Sequence, residues 1–364
     1  MSFPAAVRLT VDLDALAWNF AVLRQAAGAA EVAPVVKADG YGLGAGPVAR
    51  RLWREGARSF FVARLDEGEA LRAALGPERP ADITVLDGLT PGCADRLAAA
   101  RLAPALMSLA QAHRAADLGA ASGRPLSVGL HVDTGMNRQG LDPAEAAALA
   151  ASPQHLRHLD VNLVMSHLGG AAVPDDPRNA RQLEAFRAVR ALFPQARASF
   201  AASAGVFLGE AYRFDQVRPG VSLYGGGPQE RPDPRLRAVA TLEAPLLDVR
   251  RVAAGETIGY GPSARAERDM MLGIVAAGYA DGIIRAAAGR GYAWAGGSRR
   301  RLVIVTMNMI GIDAGDGGLA AGDAVELLGA NVAVDDLATA AGSVAHECLT
   351  RLSAVGDRRY LGGE

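Results

Sequence analysis

Short apolar runs alternate with amphipathic stretches through about the first 220 residues, and this alternation limits the chain to very few folds. Runs that read as strands cover residues 7–13, 32–37, 60–63, 83–86, 104–107, 126–132, 161–165, 198–202 and 215–218. Helical spacing lies between them, over 14–20 (with Asp14 as N-cap), 47–55, 66–74, 94–100, 110–118, 143–151 and 179–192. Strand, helix, strand in repetition implies parallel pairing through crossovers. About eight such units in roughly 220 residues is the size of a (β/α)8 barrel. A doubly wound sheet is the alternative, but no strand is followed by the glycine fingerprint of a dinucleotide fold.

The pattern changes near Gly226-Gly227-Pro228, and the stretch 229–234, with Pro232 and Pro234, reads as a linker. Beyond it lie apolar strand-like runs at 239–252, 271–277, 302–307 and 324–328, with helical spacing only near 334–341 and 345–352. The expected organisation is an α/β chain with an N-terminal (β/α)8 barrel over 8–235. A mostly β domain follows over 236–364, and the N-terminal strand (1–12) packs with it. The formal net charge of -1 gives no electrostatic case for nucleic acid or an anionic membrane. Cys93 and Cys348 are too few for a disulfide framework, residues 1–6 lack a basic, apolar leader, and no apolar run reaches about 18 residues. A cytoplasmic protein is expected.

Of 38 basic residues, one, Lys37, is a lysine. Arg supplies positive charge as well as Lys does, but it does not readily lose its proton. A lone lysine therefore points to work that needs a neutral amine, such as condensation with a carbonyl cofactor like pyridoxal phosphate. Compositional drift is the plainer explanation. Against it stands the position of Lys37, at the end of an apolar run and before Ala38-Asp39-Gly40-Tyr41-Gly42. In a parallel barrel, chemistry sits at the C-terminal strand ends. Arg138, Ser166-His167, Ser203 and Arg218-Pro219-Gly220-Val221 also follow expected strands. Singly, the arginines read as surface ion-pair partners, His167 as a core histidine, and Ser203 and Gly220 as turn residues. Together they converge on one rim.

Val36-Lys37-Ala38-Asp39-Gly40-Tyr41-Gly42 resembles the cofactor-lysine motif of bacterial alanine racemases. Asp133-Thr134-Gly135-Met136-Asn137-Arg138, Ser166-His167 and Arg218-Pro219-Gly220-Val221-Ser222-Leu223-Tyr224-Gly225 are similar to further motifs of that family, as are Gly259-Tyr260-Gly261 and Gly278-Tyr279-Ala280-Asp281-Gly282. The matches fall in family order and span nearly the whole chain. The resemblance implies pyridoxal 5'-phosphate as cofactor and no metal. It also implies a head-to-tail homodimer whose active sites are shared between chains, and a small amino-acid substrate. Lys37 and the partner's Tyr260 would be the two bases, one on each face of the substrate Cα. Tyr41, His167, Ser203, Arg218, Gly220 and Val221 would join Lys37 in holding the cofactor, Arg218 at the pyridine nitrogen. Arg138, Met307, Tyr279 and His346 would line the substrate site.

Four positions depart from the family pattern. His131 stands where a lysine is usual, Ala202 for Asn, Asn308 for Asp, and His346 for a tyrosine at the pocket mouth. The shorter His346 and the lost charge at Asn308 would widen the mouth, so a racemase acting on serine or a broader set of amino acids is the alternative to alanine. Less favoured is a D-amino-acid dehydratase or aldolase on the same fold, for which His346-Glu347-Cys348 would offer two metal ligands. A non-catalytic cofactor-binding barrel is disfavoured by the second domain.

Overall fold

The computed structural model describes residues 6–261, 264–315 and 318–363; the reading of residues 1–5 as free of a leader lies outside them. Two compact units emerge. One holds residues 20–40 and 44–223; the other holds 1–19, 41–43 and 224–364. The first strand, β1 (Arg8–Asp12), belongs to the second unit.

In the first unit the alternating pattern becomes eight parallel strands. These are β2 (Glu31–Val32), β3 (Ser59–Val62), β4 (Asp82–Val85), β5 (Ala103–Leu106), β6 (Leu126–His131), β7 (Leu159–Met165), β8 (Arg197–Ala202) and β9 (Gln216–Arg218). Neighbours from β3 to β9 pair in sequence order, and β9 pairs with β2. The ring closes through the residues after β2. Ala33 and Val35 donate to Val217 and Pro219, while Val36 donates to Phe61, and Phe61 to Pro34. The (β/α)8 architecture is thus present. Helices Ala45–Arg54, Leu65–Leu75, Ala94–Ala99, Leu109–Ser122, Pro143–Ala150 and Pro177–Leu192 fill the connections from β2 to β8. The β8–β9 link carries only the short 3-10 turns Gly205–Phe207 and Glu210–Tyr212.

Strands β3 and β6 end in fully buried residues because both faces are covered, as expected of parallel strands. Phe186 of a surface helix stacks on Phe200 of β8 at 4.8 Å, and Phe214 meets Phe186 edge-on at 4.9 Å. Such pairs contribute about 0.5–1.5 kcal/mol beyond simple burial.

The second unit is mostly β. Its later strands are β10 (Ala240–Val252), β11 (Thr257–Ile258), β12 (Ala264–Arg265), β13 (Met270–Val275), β14 (Tyr292–Ala295), β15 (Ser298–Val305), β16 (Ile310–Asp313), β17 (Ala324–Leu328) and β18 (Arg358–Leu361). Six of them, β13-β16-β15-β14-β17-β10, close through a β10–β13 pairing. The long β10 serves both sides: its first half pairs with β17 and its second half with β13, with a register shift between Leu246 and Asp248. β1 adds antiparallel to β10, and β18 parallel to β1.

Helix Leu13–Ala27 corrects one expectation. Its first free N–H groups, Asp14 and Ala15, donate to the Asp12 carboxylate at 2.8 and 2.9 Å, so Asp12 rather than Asp14 caps the helix. No helix among the described residues is long and apolar enough to cross a membrane.

Gly119 shows how tightly helix Leu109–Ser122 sits. A Cβ there would lie 2.2 Å from the carbonyl oxygen of His158. Gly→Ala in an open helix is favourable by up to about 1 kcal/mol. At this site overpacking wins, and we expect Gly119→Ala to destabilise the chain by about 1–3 kcal/mol. Urea unfolding of wild type and variant measures this; a variant as stable as wild type contradicts it.

Candidate active site

Barrel closure and the placement of Lys37 are the same event, because Val36 is the last residue of the seam and Lys37 follows it. The expected strand 32–37 is interrupted. β2 stops at Val32, Val35 bridges to Phe61, and Lys37 opens a left-handed turn. Ala38, Asp39 and Tyr41 have φ of 52°, 53° and 57°, beside Gly40 at 63°. Non-glycine residues resist this region by about 1–2 kcal/mol each. Local bonds offset the strain: the Glu67 carboxylate accepts from Ala38 N–H, and also from Ala63 and Arg64 just beyond β3. Asp39 accepts from Ala45 N–H at 2.8 Å.

The Lys37 ammonium is held below its ordinary value, first by burial and then by the Arg138 guanidinium; Glu67 and Asp87 oppose this. Arg138 ends a loop wound around Asp133, whose carboxylate accepts from Gly135, Met136 and Arg138 N–H. Burial works against the Asp133 charge, but these backbone donors, with Asn137, outweigh it and hold the carboxyl below its usual range.

Arg218, at the end of β9, is buried. Burial pulls its guanidinium down to about 10. Its nitrogens donate to Ser199 Oγ at 2.5 Å and to the Ser166 carbonyl at 2.6 Å. His167, after β7, is pushed well below its ordinary value by burial, then by Arg218, Arg138, His131 and Lys37. His131, buried at the end of β6, falls to about 4 through burial and then the same two arginines. Its Nδ1 lies 3.2 Å from Gln139 Nε2. Both imidazoles are therefore neutral near pH 7.

A second cluster follows β8 and β9. Buried Ser203 accepts through Oγ from Gly220 N–H at 3.0 Å and Ser222 N–H at 3.3 Å, which leaves its hydroxyl hydrogen free to donate elsewhere. The Ser222 hydroxyl is buried without a partner. Val221 opens the 3-10 turn Val221–Tyr224, and the first N–H groups of such a turn have no partner inside it. Hydroxyls and backbone donors with no carboxylate among them are the chemistry that takes a phosphate.

Of the expected site residues, Lys37, Arg138, His167, Ser203, Arg218, Gly220 and Val221 thus lie beyond the C-terminal ends of the first unit's strands. The other five lie in the second unit. Tyr41, its phenol pushed well up by burial, stacks on Tyr224 at 4.7 Å, and the His346 ring is 5.9 Å away. Tyr279 and Met307 sit on loops joined by Tyr279 N–H to Thr306 and Ala280 N–H to Met307. Tyr260, following β11, is 83% exposed. Ser199 and Glu67 are the supports that motif reading passed over. Glu67 carries a signal, an acid in the first turn of helix Leu65–Leu75. Ser199 carries none, being one small residue inside a strand. Among the described residues no group of three His, Cys, Asp or Glu side chains could hold a metal ion.

Comparisons with known proteins agree with this geometry. Residues 11–228 match the family model for the alanine racemase N-terminal domain, and 239–360 the one for its C-terminal domain. The chain is 43% identical to the alanine racemase of Methylobacterium nodulans over 98% of this chain and 96% of that one. It is 39% identical to a catabolic alanine racemase of Agrobacterium fabrum, over 98% and 92%. The crystal structure of Bartonella henselae alanine racemase with covalently bound pyridoxal phosphate superposes with a TM-score of 0.92 at 33% identity, covering 98% of this chain and all of that one.

The imidazole beside two arginines has a measurable consequence. The folded value of His131 lies near 4, below its unfolded 6.5, so the unfolded chain binds more protons between these limits. Stability contributed above pH 6.5 is then lost as pH falls toward 4, by roughly 3 kcal/mol. Holoprotein unfolding in urea across that window should be steeper in pH for wild type than for His131→Gln. Equal slopes would overturn the assignment.

Proposed function

The chain belongs to the alanine racemase family, and on that premise we propose that it interconverts L- and D-alanine with pyridoxal 5'-phosphate as cofactor. The observation that carries the reading is Lys37. The chain's one lysine directly follows the barrel seam, where burial first and then the Arg138 guanidinium lower its affinity for a proton.

The residues present suit the cofactor. Ser203, Ser222 and the backbone N–H of Val221 offer donors for its phosphate, and the family reading adds Gly220 and Tyr41. Arg218 is buried and its partners are a hydroxyl and a carbonyl, so it can present a donor to a neutral ring nitrogen. When bound and joined to Lys37, pyridoxal phosphate supplies the electron sink that acidifies the substrate Cα–H. Lys37 Nζ, held toward its neutral form, takes or returns that proton on one face. Tyr260 of the partner subunit does so through Oη on the other face. Arg138 binds the substrate carboxylate. His167, neutral among Arg218 and Arg138, passes hydrogen-bond polarity toward the tyrosine base without adding charge. Met307, Tyr279 and His346 bound the substrate site.

Two chains are needed in this reading, and the high exposure of Tyr260 and Met307 supports a surface that meets a second copy. Cys93 and Cys348 are both buried and unpaired, which supports a cytoplasmic setting. Alanine is the substrate of first choice. Serine is the second reading, favoured by His346, whose ring lies beside Tyr41 in place of a bulkier phenol.

Borohydride treatment of the holoenzyme should fix a pyridoxyl group on the peptide carrying Lys37, read by mass spectrometry. A labelled peptide lacking Lys37, or none, overturns the assignment. Tyr260→Phe should suppress Cα proton exchange from one enantiomer far more than from the other, because one face keeps its base. Mixing inactive Lys37→Ala with inactive Tyr260→Phe should restore activity, since one site of the mixed dimer carries neither lesion. Symmetric loss without complementation would count against the shared two-base site.

A further inference from the structure

The opposite mouth of the barrel also carries a cavity, of about 410 Å³. This lies within the ordinary range for small-molecule sites. It opens at the N-terminal strand ends, among them Ser59 of β3, Asp82 of β4, Arg197 of β8 and Gln216 of β9. None of these residues takes part in the rim described above.

Four guanidinium groups line it: Arg72, Arg101, Arg124 and Arg197. Arg197 is paired with Glu31 at 2.8 Å and with Asp82 at 3.7 Å. Arg72 donates to the carbonyls of Ala100 and Arg101, which orients it without neutralising it. Arg101 and Arg124 form no ion pair among the described residues. Four positive charges thus meet two carboxylates, and two remain without a counter-charge. The Arg72 guanidinium is pulled down by burial and next by the nearby Arg101 charge, with Asp82 opposing.

The floor is polar and under-satisfied. Ser59 and Gln216 are 4% and 1% exposed, and Ser59 Oγ and Gln216 Oε1 have no hydrogen-bond partner. Gln216 Nε2 is already spent on Glu31 at 3.0 Å, so the amide is fixed with its acceptor unmatched. Buried polar atoms left unpaired cost about 1–3 kcal/mol each and call for a partner.

We propose that this N-terminal mouth is a second ligand site, taking a compact dianion, a phosphate group or a dicarboxylate, that carries a hydroxyl or amine donor for the floor. Excess guanidinium forks supply bidentate anion recognition, and the acceptor of Gln216 takes the hydroxyl or amine hydrogen that the ligand carries, as hydrogen phosphate does. An occupant here ties the entry ends of β3, β4, β8 and β9 together, and so acts on barrel stability rather than on the chemistry at the rim.

The test uses holoenzyme with the cofactor reduced onto Lys37, so that the rim site is filled. It is titrated calorimetrically at low salt with inorganic phosphate in one arm and malate, a hydroxylated dicarboxylate, in the other. Saturable binding at one site per chain is expected in at least one arm. Loss of two charge-assisted contacts in Arg101→Gln/Arg124→Gln should weaken it by about ten- to hundredfold. Both arginines are exposed and form no ion pair among the described residues, so the double variant should fold and racemise as wild type does without the anion. Binding of phosphate alone assigns a phosphate-bearing ligand, and binding of malate alone a dicarboxylate. No binding in either arm, or binding of equal strength in the double variant, overturns the proposal.

Discussion

Barrel closure at residues 33–36 is the interaction on which the rest depends. Over four residues the backbone bonds to β9 on one side, through Ala33 and Val35, and to β3 on the other, through Pro34 and Val36. Pro34 has no N–H to donate, and its carbonyl accepts from Phe61 instead. The next residue is Lys37. Any loosening of the seam therefore moves the amine, and the left-handed turn clamped by Glu67 stops the chain from drifting after it.

The rim that results is crowded with groups that prefer positive charge. Burial first, and then the charges of Arg218 and Arg138, hold His131 and His167 below their ordinary values, and Lys37 adds to this at His167. The carboxylates nearby are engaged: Asp133 accepts backbone N–H groups of its own loop, and Glu67 accepts those of Ala38, Ala63 and Arg64. An arrangement of this kind is uncomfortable alone and comfortable around anions. A phosphorylated cofactor and a carboxylate substrate supply the missing charge. The electrostatics of the rim thus favour anionic ligands.

Much of this was legible in the sequence, for a physical reason. Strand segments covered on both faces are mostly apolar, so the buried parts of β6, β7 and β8 stand out as runs, and polar residues follow at their ends. Lys37, His167, Ser203 and Arg218 stand out in the sequence as polar residues at the ends of such runs. The left-handed turn was not legible. Ala38, Asp39 and Tyr41 are ordinary residues, and their backbone conformation is imposed by Glu67 and the seam. Ser199 escaped for the same reason, since its role exists only once Arg218 is placed beside it. The cap at Asp12 was misplaced by two residues because strand β1 runs straight into the helix, and the sequence offers two aspartates at the junction. The second unit was legible as strand-rich, but its closure through β10 needed the fold, because one long strand divides its pairing between two neighbours.

The pairing of β1 with β18 has a consequence for synthesis on the ribosome. Leu9 is placed beside Arg358, almost the full length of the chain away. The (β/α)8 barrel has its strands complete once Arg218 has emerged, and it can fold while translation continues. β1 emerges before the barrel strands, yet it waits for its final neighbour until β18 has been made. Until then its edge is open, with unpaired N–H and C=O groups exposed to other nascent chains. Its alternation of buried and half-buried residues, with Arg8 and Asp12 at the ends, keeps that waiting strand short and charged. β1 is thus among the last strands of its unit to be fully paired: docking on β10 covers one edge, and the other stays open until β18 arrives.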